Sequence, residues 1–150
     1  MDTIIRTNSE NLHFHSLIKL LDAELKSRDT SNFNFYNQFN KLDDIKNVVI
    51  AYNNETPVGC GAFKIYQNVT VEIKRMYVLP LARNKGVASK ILNELEMWAA
   101  ECGFKKCILE TGVQQKEAIE LYKKRGFTLT SNFGMYENVE NSVCFEKYID

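Results

Sequence analysis

A turn that contains a cation and a glycine, placed between a strand pattern and a long helical pattern, could bind an anion. The turn follows the apolar stretch 69–79 and contains Arg83 and Gly86. From Val87 onward, apolar residues recur with the helical period over four turns, and Gly103 follows in the position of a left-handed cap. The first N–H groups of a helix have no partner within the helix, and they carry the positive end of its dipole. We therefore expect a phosphate group at this turn.

A second stretch, further along the chain, has a strand and helix pattern of its own. It reads Leu109-Glu110-Thr111, then Gln115-x-x-Ala118-x-x-Leu121-Tyr122, and then Gly126-Phe127. Apolar residues precede Glu110, which indicates a buried strand, and the later spacing is that of a helix stopped by a glycine.

These two stretches resemble the two signatures of the GNAT superfamily of N-acetyltransferases, which use acetyl-CoA. Arg83-x-x-Gly86-x-Ala88 is similar to the motif that cradles the pyrophosphate, and Gln115 stands where the second signature commonly has asparagine. The chain has neither the complete glycine fingerprint of a dinucleotide-binding turn nor a P-loop. The resemblance covers residues 47–148 and implies a GNAT-like fold with acetyl-CoA as co-substrate.

The resemblance also implies which residues contact the cofactor. Each of these residues belongs to one of the two motifs or to the strand that precedes the first motif. These residues are Met76, Tyr77, Val78, Arg83, Asn84, Lys85, Gly86, Val87, Ala88, Ser89, Thr111, Gln115 and Ala118.

Acetyl transfer to an amine requires removal of a proton from the amine, because a free alkyl ammonium group has a pKa of about 10.4. Glu72, on the strand that lines the cleft in the family, is the predicted general base. Desolvation on a buried strand would suit a carboxylate to accept a proton. The structural alternative is a Glu72 that only pairs with Lys74, Arg75 or a lysine of a neighbouring strand.

The departing thiolate needs a proton, and the thioester oxygen needs hydrogen-bond donors. Tyr122 is the predicted acid by resemblance, although its spacing alone also fits a core residue. In the family the strand 71–79 bulges and separates from its parallel neighbour, so the backbone N–H groups of Met76 and Val78 are the expected donors. None of the four cysteines has a context that would lower its pKa, so we expect direct attack in a ternary complex and no acyl-enzyme.

The acceptor pocket is predicted from two polar, aromatic segments, 29–40 and 132–141. The aromatic residues of the first favour packing against one end of the core, and the resemblance supports its role as a pocket wall. Phe35, Asn132 and Tyr136 are the candidate substrate contacts. No metal site is expected, because the cysteines lack ligand spacing and His13 and His15 would lie on different sides of a helix.

The elements that position these residues form a mixed α/β (α+β) pattern in a single domain, 1–150. A strand at 2–7 precedes a helix capped by Asn8 or Ser9, and a three-strand meander spans 47–79. Further strands are predicted at 106–111, 127–131 and 142–148, with helices from 87 and over 115–125. Because a helix joins the strands 69–79 and 106–111, these two can lie parallel. The resemblance implies a GNAT-like sheet of six to seven mostly antiparallel strands, in which this parallel pair splays apart, with helices on both faces.

Composition narrows the function class. The 150 residues contain 19 Lys plus Arg and 19 Asp plus Glu, so the net charge is zero, which argues against a nucleic-acid or membrane surface. No apolar run is as long as a membrane span requires, and no secretory leader is visible, so a cytoplasmic protein is expected. Its oligomeric state is left open between a monomer and a homodimer. The predicted activity is acetylation of a primary amine of a small molecule or peptide. The alternatives are transfer of a longer acyl group and a sensor that binds acyl-CoA without turnover.

Overall fold

The computed structural model describes residues 2–28 and 45–149, which form seven strands and three helices. Two single 3₁₀ turns, Pro80–Ala82 and Gly134–Tyr136, lie in the connections. In chain order the elements are β1 Asp2–Thr7, α1 Leu12–Arg28, β2 Asn47–Asn53, β3 Thr56–Gln67, β4 Thr70–Val78, α2 Val87–Glu101, β5 Lys106–Gly112, α3 Lys116–Lys124, β6 Thr128–Thr130 and β7 Ser142–Tyr148.

All seven strands belong to one sheet, with the order β1-β2-β3-β4-β5-β7-β6. Five of the six neighbouring pairs are antiparallel, and β4 with β5 is the parallel pair. The predicted fold class is confirmed, including the meander β2–β3–β4 and the parallel crossover through α2.

The helices cover both faces of the sheet. On one face, Phe14, Leu17 and Leu21 of α1 pack against alternate residues of β2 and β3. On the other face, α2 and α3 share a core with the intervening residues of the strands, and Ile91 and Leu95 of α2 are fully buried. Each such side chain contributes about 1.5–3 kcal/mol of burial free energy, which fixes α2 on the sheet.

The helix α1 is capped by Asn11, which corrects the predicted cap at Asn8 or Ser9. Asn11 Oδ1 accepts hydrogen bonds from the N–H groups of His13 and Phe14 at 2.9 and 3.2 Å. Asn8 Oδ1 instead accepts from the N–H of Glu10 in the preceding turn. Both residues can close a local turn, and the helix begins after the second of them.

Close packing of α2 on β3 explains the glycine at position 61. A Cβ there would lie 2.5 Å from Met76 Sδ and 2.9 Å from Ile91 Cγ2. This close approach brings α2 down onto the centre of the sheet, beside the end of β4.

No helix within the described residues combines the length and apolarity that crossing a membrane would require.

Candidate active site

The strands β4 and β5 separate halfway along their length. Their parallel pairing runs from Thr70 with Lys106 to Ile73 with Leu109 and stops there. Beyond that point β4 remains paired with β3, and β5 remains paired with β7. The separation opens a cavity of about 740 Å³ that reaches from α1 to the N-terminus of α2. A cavity of this size can hold a large part of a cofactor and a small acceptor.

A β-bulge in β4 accompanies the separation. The register with β3 passes from Ala62 opposite Lys74 to Cys60 opposite Tyr77, so β4 carries one extra residue. Arg75, in the bulge, has a positive φ of 60°, which is unusual for a residue with a side chain. Its guanidinium pairs with Asp22 of α1 at 3.0 Å, and this contact holds the bulge against α1.

Beyond the bulge, the edge of β4 that faces the opening presents backbone N–H groups to the cavity. The N–H of Leu79 donates to the Val58 carbonyl of β3 at 2.8 Å. Because successive residues of a strand direct their N–H groups to opposite edges, those of Val78 and Met76 point towards the opening. These two groups are the predicted oxyanion donors.

A second set of N–H groups lies at the turn before α2. Among residues 2–28 and 45–149, no hydrogen-bond acceptor faces the six consecutive N–H groups from Asn84 to Ser89. Asn84 and Gly86 have positive φ values of 64° and 84°, which curl the backbone around a common centre. A Cβ on Gly86 would meet no atom of the protein within 4 Å, so it would project into the open cavity. The turn therefore has the shape and polarity of an anion site.

The side chain of Arg83 is engaged within the protein. Its Nε donates to the Val78 carbonyl at 2.8 Å, on the edge of β4 that β5 has left, and its Nη2 donates to Glu24 of α1 at 2.7 Å. Lys85 is exposed and donates to the Leu81 carbonyl at 3.2 Å, outside the cavity lining. At this turn, backbone N–H groups therefore contribute more of the polar surface that faces the cavity than the side-chain cations of Arg83 and Lys85 do.

On the face of the sheet that α1 covers, a polar cluster lies where the strands separate. It consists of Glu72 and Lys74 of β4, Glu110 of β5, Tyr136, and Ser142 of β7. Lys74 Nζ lies 3.7 Å from Glu72 Oε2, and the Tyr136 hydroxyl lies 3.5 Å from both of those atoms. Ser142 Oγ donates to Glu110 Oε2 at 2.6 Å.

Burial dominates the protonation of this cluster. It raises the pKa of the Glu110 carboxyl to about 7, against the opposing effects of the Ser142 hydrogen bond and of Lys74. It also lowers the pKa of the Lys74 ammonium, and it raises the pKa of the Tyr136 phenol. A carboxyl group that exchanges its proton near neutral pH is thus present at the opening.

Tyr122, on α3, lies on the opposite face of the sheet. Its ring packs against Phe127 and Phe145, and burial, with a further contribution from the Glu110 charge, raises the pKa of its phenol. The hydroxyl therefore keeps its proton at neutral pH, and Tyr122 also lines the cavity. Tyr122 is thus a core residue, as its spacing in the sequence allowed. It also borders the cavity, as the acid role predicted from the resemblance requires.

The cavity brings together most of the predicted site residues. Those that line it are Glu72, Met76, Tyr77, Val78, Arg83, Asn84, Gly86, Val87, Ala88, Ser89, Thr111, Gln115, Ala118, Tyr122 and Tyr136.

Three predicted residues are not among them. Lys85 lies outside the lining, as described above. Asn132 also lies outside it, and its amide donates to the carbonyls of Val139 and Ser142, so it holds its own loop together. Phe35 falls outside the described residues.

Glu110 was not among the predicted site residues, although it belongs to the second motif and lines the cavity. The usable signal was the parallel pairing of β4 with β5, because it places Glu110 beside the strand end that carries Glu72 and Lys74.

The cysteines do not supply a nucleophile at the site. Cys60, Cys107 and Cys144 are buried, and burial raises the pKa of each thiol, to about 12, 12 and 11 respectively. No cysteine of the described residues lines the cavity. The described part of the chain also contains no group of three histidine, cysteine or carboxylate side chains that could hold a metal ion.

Comparison with known proteins identifies the class to which this fold and cavity belong. The sequence model of the acetyltransferase (GNAT) family matches residues 14–127, and the chain belongs to this family. The resemblance inferred from the two motifs is therefore confirmed.

Individual relatives show how far the likeness extends. The chain is 38% identical over 100 residues to the IAA acetyltransferase of Azospirillum brasilense, across 66% of this chain and 65% of that protein. The chain thus spans less than two thirds of the length of this relative.

Two solved structures superpose over nearly the whole chain. An acyl-CoA N-acyltransferase from Klebsiella pneumoniae is 28% identical, with a TM-score of 0.84 and coverage of 100% of this chain and 99% of that one. The PaiA N-acetyltransferase of Thermoplasma acidophilum, solved with coenzyme A, is 19% identical, with a TM-score of 0.73 and 99% coverage of both chains. The second likeness shows the fold.

Proposed function

We propose that the protein is an N-acetyltransferase that moves the acetyl group of acetyl-CoA to a primary amine of a small molecule or peptide. The observation that carries this proposal is the opening between β4 and β5, where N–H groups on β4 and at the start of α2 find no acceptor among residues 2–28 and 45–149. Membership of the acetyltransferase family supports it, as does the coenzyme A in the Thermoplasma structure with the same fold.

The residues present fit acetyl-CoA. The N–H groups from Asn84 to Ser89 hold the pyrophosphate, because they converge at the positive end of the α2 dipole. The pantetheine arm runs along the open edge of β4, past Thr111, Gln115 and Ala118 on the other wall. The N–H groups of Met76 and Val78 donate to the thioester oxygen as negative charge develops on it.

The two faces of the sheet divide the reaction. The amine nitrogen attacks the thioester carbon from the face that α1 covers, where Glu72 and Glu110 lie, and one of these carboxylates takes the amine proton. The carbon–sulfur bond then breaks, and Tyr122, on the other face, gives its phenolic proton to the departing thiolate. Water returns a proton to Tyr122 and removes the one that the carboxylate has taken.

The side chains at the opening support direct attack within a ternary complex. An acyl-enzyme would need a nucleophile there, and the buried thiols of Cys60 and Cys144 hold their protons at neutral pH. The acetyl group therefore passes to the amine in one transfer step.

Release of free thiol from acetyl-CoA tests the proposal. The protein is mixed with acetyl-CoA and one amine at a time: ethanolamine, tyramine, spermidine, L-lysine or glycylglycine. Free thiol is measured in each reaction, and the acetylated product is measured by mass spectrometry. We expect thiol and product in equal amounts with at least one amine. Saturable binding of coenzyme A without thiol release from any amine would contradict turnover and favour the sensor. The Gly86→Glu variant is the matched control, because its side chain would occupy the phosphate site and should abolish both signals.

A further inference from the structure

We propose that Glu110 of β5 is the general base that takes the proton of the acceptor amine, and that Glu72 serves as the fixed partner of Lys74. This inference rests on the proposed acetyl transfer and assigns one of its steps. It also replaces Glu72, the base predicted from the sequence.

The position of Glu110 suits this role. The last paired residues of β4 and β5 are Ile73 and Leu109, so Glu110 is the first residue of β5 beyond the point of separation. Leu109 is buried in the core beneath α2 and α3, and alternation along the strand directs Glu110 to the opposite face. Its side chain therefore lies at the base of the opening, on the side from which the amine approaches.

The Glu110 carboxylate is oriented but not fully engaged. Ser142 holds Oε2 at 2.6 Å, and the described residues donate no hydrogen bond to Oε1. Glu110 is largely buried yet partly exposed, and it lines the cavity. One oxygen is thus fixed while the other can receive a proton from a bound amine or from an intervening water.

The surroundings of Glu72 are different. Only 5% of its surface is exposed, and its Oε2 lies 3.7 Å from the Lys74 ammonium and 3.5 Å from the Tyr136 hydroxyl. Lys74 and Tyr136 thus both approach the same oxygen of Glu72, which suits this carboxylate to a role as the partner of Lys74.

Groups from every neighbouring element act on Glu110. On β4, Lys74 favours its ionised form and Glu72 opposes it; on β7, Ser142 donates to it, and Cys144 lies opposite it in the register. Within the described part of the chain, the phenols of Tyr136 and, on α3, of Tyr122 also interact with Glu110.

Burial outweighs these influences and leaves the pKa of Glu110 at about 7. This value favours a general base that works at neutral pH, since the group is partly ionised and still basic enough to accept a proton.

Two glutamine variants on the two strands separate the candidates. Glu110→Gln and Glu72→Gln make the same change in the same cavity, and the exposed Glu55→Gln, in the turn between β2 and β3, controls for the loss of one charge. The rates are measured from pH 5.5 to 9.5 with acetyl-CoA and the best amine of the panel given above. In parallel, ¹³C NMR follows the glutamate side-chain carboxyls of wild-type protein labelled at those carbons, with Glu110→Gln to assign the signal.

For wild type we expect kcat to rise with pH and then level off, and this rising limb of the pH profile should have an apparent pKa of about 7. Glu110→Gln should lower kcat at pH 7 by about 10²–10⁴-fold and remove this limb, so that the rate climbs until the amine itself deprotonates. Glu72→Gln should keep the limb, whatever its effect on the KM of the amine through Lys74. The NMR signal lost in Glu110→Gln should titrate near pH 7 in wild type.

Several results would overturn the assignment. A limb retained in Glu110→Gln, a limb lost equally in Glu72→Gln, or a Glu110 carboxyl that titrates near 4.5 would each do so. Failure of the acetyltransferase proposal would look different, because wild type itself would then release no thiol with any amine.

Discussion

Ser142 Oγ donates a 2.6 Å hydrogen bond to Oε2 of Glu110, and this contact joins β7 to the base of the opening between β4 and β5. The bond stabilises the ionised carboxylate and so opposes the effect of burial on its pKa. If Glu110 is the base, as proposed above, Ser142 is a positioning residue that also sets the pH at which Glu110 accepts a proton.

Replacement of Ser142 by alanine should therefore shift the pH profile. In Ser142→Ala the pKa of Glu110 rises, and we expect the limb of kcat to move up by about half a unit to one unit, with a few-fold loss of rate at pH 7. Ser142→Thr, which retains the hydroxyl, should keep the wild-type profile. A limb that stays in place or moves down in Ser142→Ala would show that the hydrogen bond does not act on the base.

The raised pKa of Glu110 also predicts an unusual dependence of stability on pH. Burial lifts its pKa from 4.5 to about 7 in the folded state. Between these values the folded protein holds a proton that the unfolded chain has lost, so stability falls as pH rises through this window, and the penalty is complete above pH 7.

Glu110→Gln, which removes that charge, should consequently be more stable than wild type at pH 8. We expect a gain of about 1–2 kcal/mol after allowance for the partial exposure of the side chain, and a loss of most of this gain by pH 5. Urea unfolding at pH 5, 6.5 and 8 measures it. A variant that is less stable than wild type at pH 8 would contradict a desolvated carboxylate at this position.

Tyr122→Phe removes the proposed proton donor and keeps the aromatic ring that packs against Phe127 and Phe145. We expect kcat to fall by about 10²-fold, with the Kd of coenzyme A within two-fold of wild type. Stopped-flow thiol release and calorimetric titration measure the two quantities. Undiminished turnover would leave Tyr122 with a packing role alone.

Arg83 should support the site through its structural contacts. Arg83→Ala removes the bonds to the Val78 carbonyl and to Glu24, and we expect a loss of about 1–2 kcal/mol of stability together with weaker binding of coenzyme A. Glu24→Gln, which leaves the Val78 bond in place, should have a smaller effect on both. Equal and negligible effects of the two changes would mean that this contact does not hold the open edge of β4. Chemical denaturation and calorimetry report the outcome.

Local patterns in the sequence predicted the order of the elements, and the family resemblance supplied the arrangement of the sheet. The helical period and the capping glycine located α2, and the strand patterns over 47–79 located the meander β2–β3–β4, because these signals lie within the elements or a few residues from them. The cap of α1 was displaced to Asn11, since Asn8 and Asn11 can each close a turn and only the packing of the helix decides between them.

The site was harder to predict from the sequence than the fold, because it depends on contacts between residues that are far apart in the chain. The pairing of Arg83 with Glu24 joins residues 59 positions apart, and no local pattern reveals that this cation is already engaged. The contrast between Glu72 and Glu110 likewise depends on where β5 leaves β4 and on the position of Ser142. Both carboxylates were visible in the sequence, and only their neighbours distinguish them.

The most direct test of the account is a titration of ¹⁵N-labelled protein with coenzyme A, followed through its backbone amide signals. We predict saturable shifts that are largest for Asn84 to Ser89, with a second group at Met76 and Val78 on the open edge of β4. The signals of β1, on the far edge of the sheet, should not move. Saturation with shifts confined to other parts of the chain, or no saturable shift at all, would contradict the proposed cofactor site.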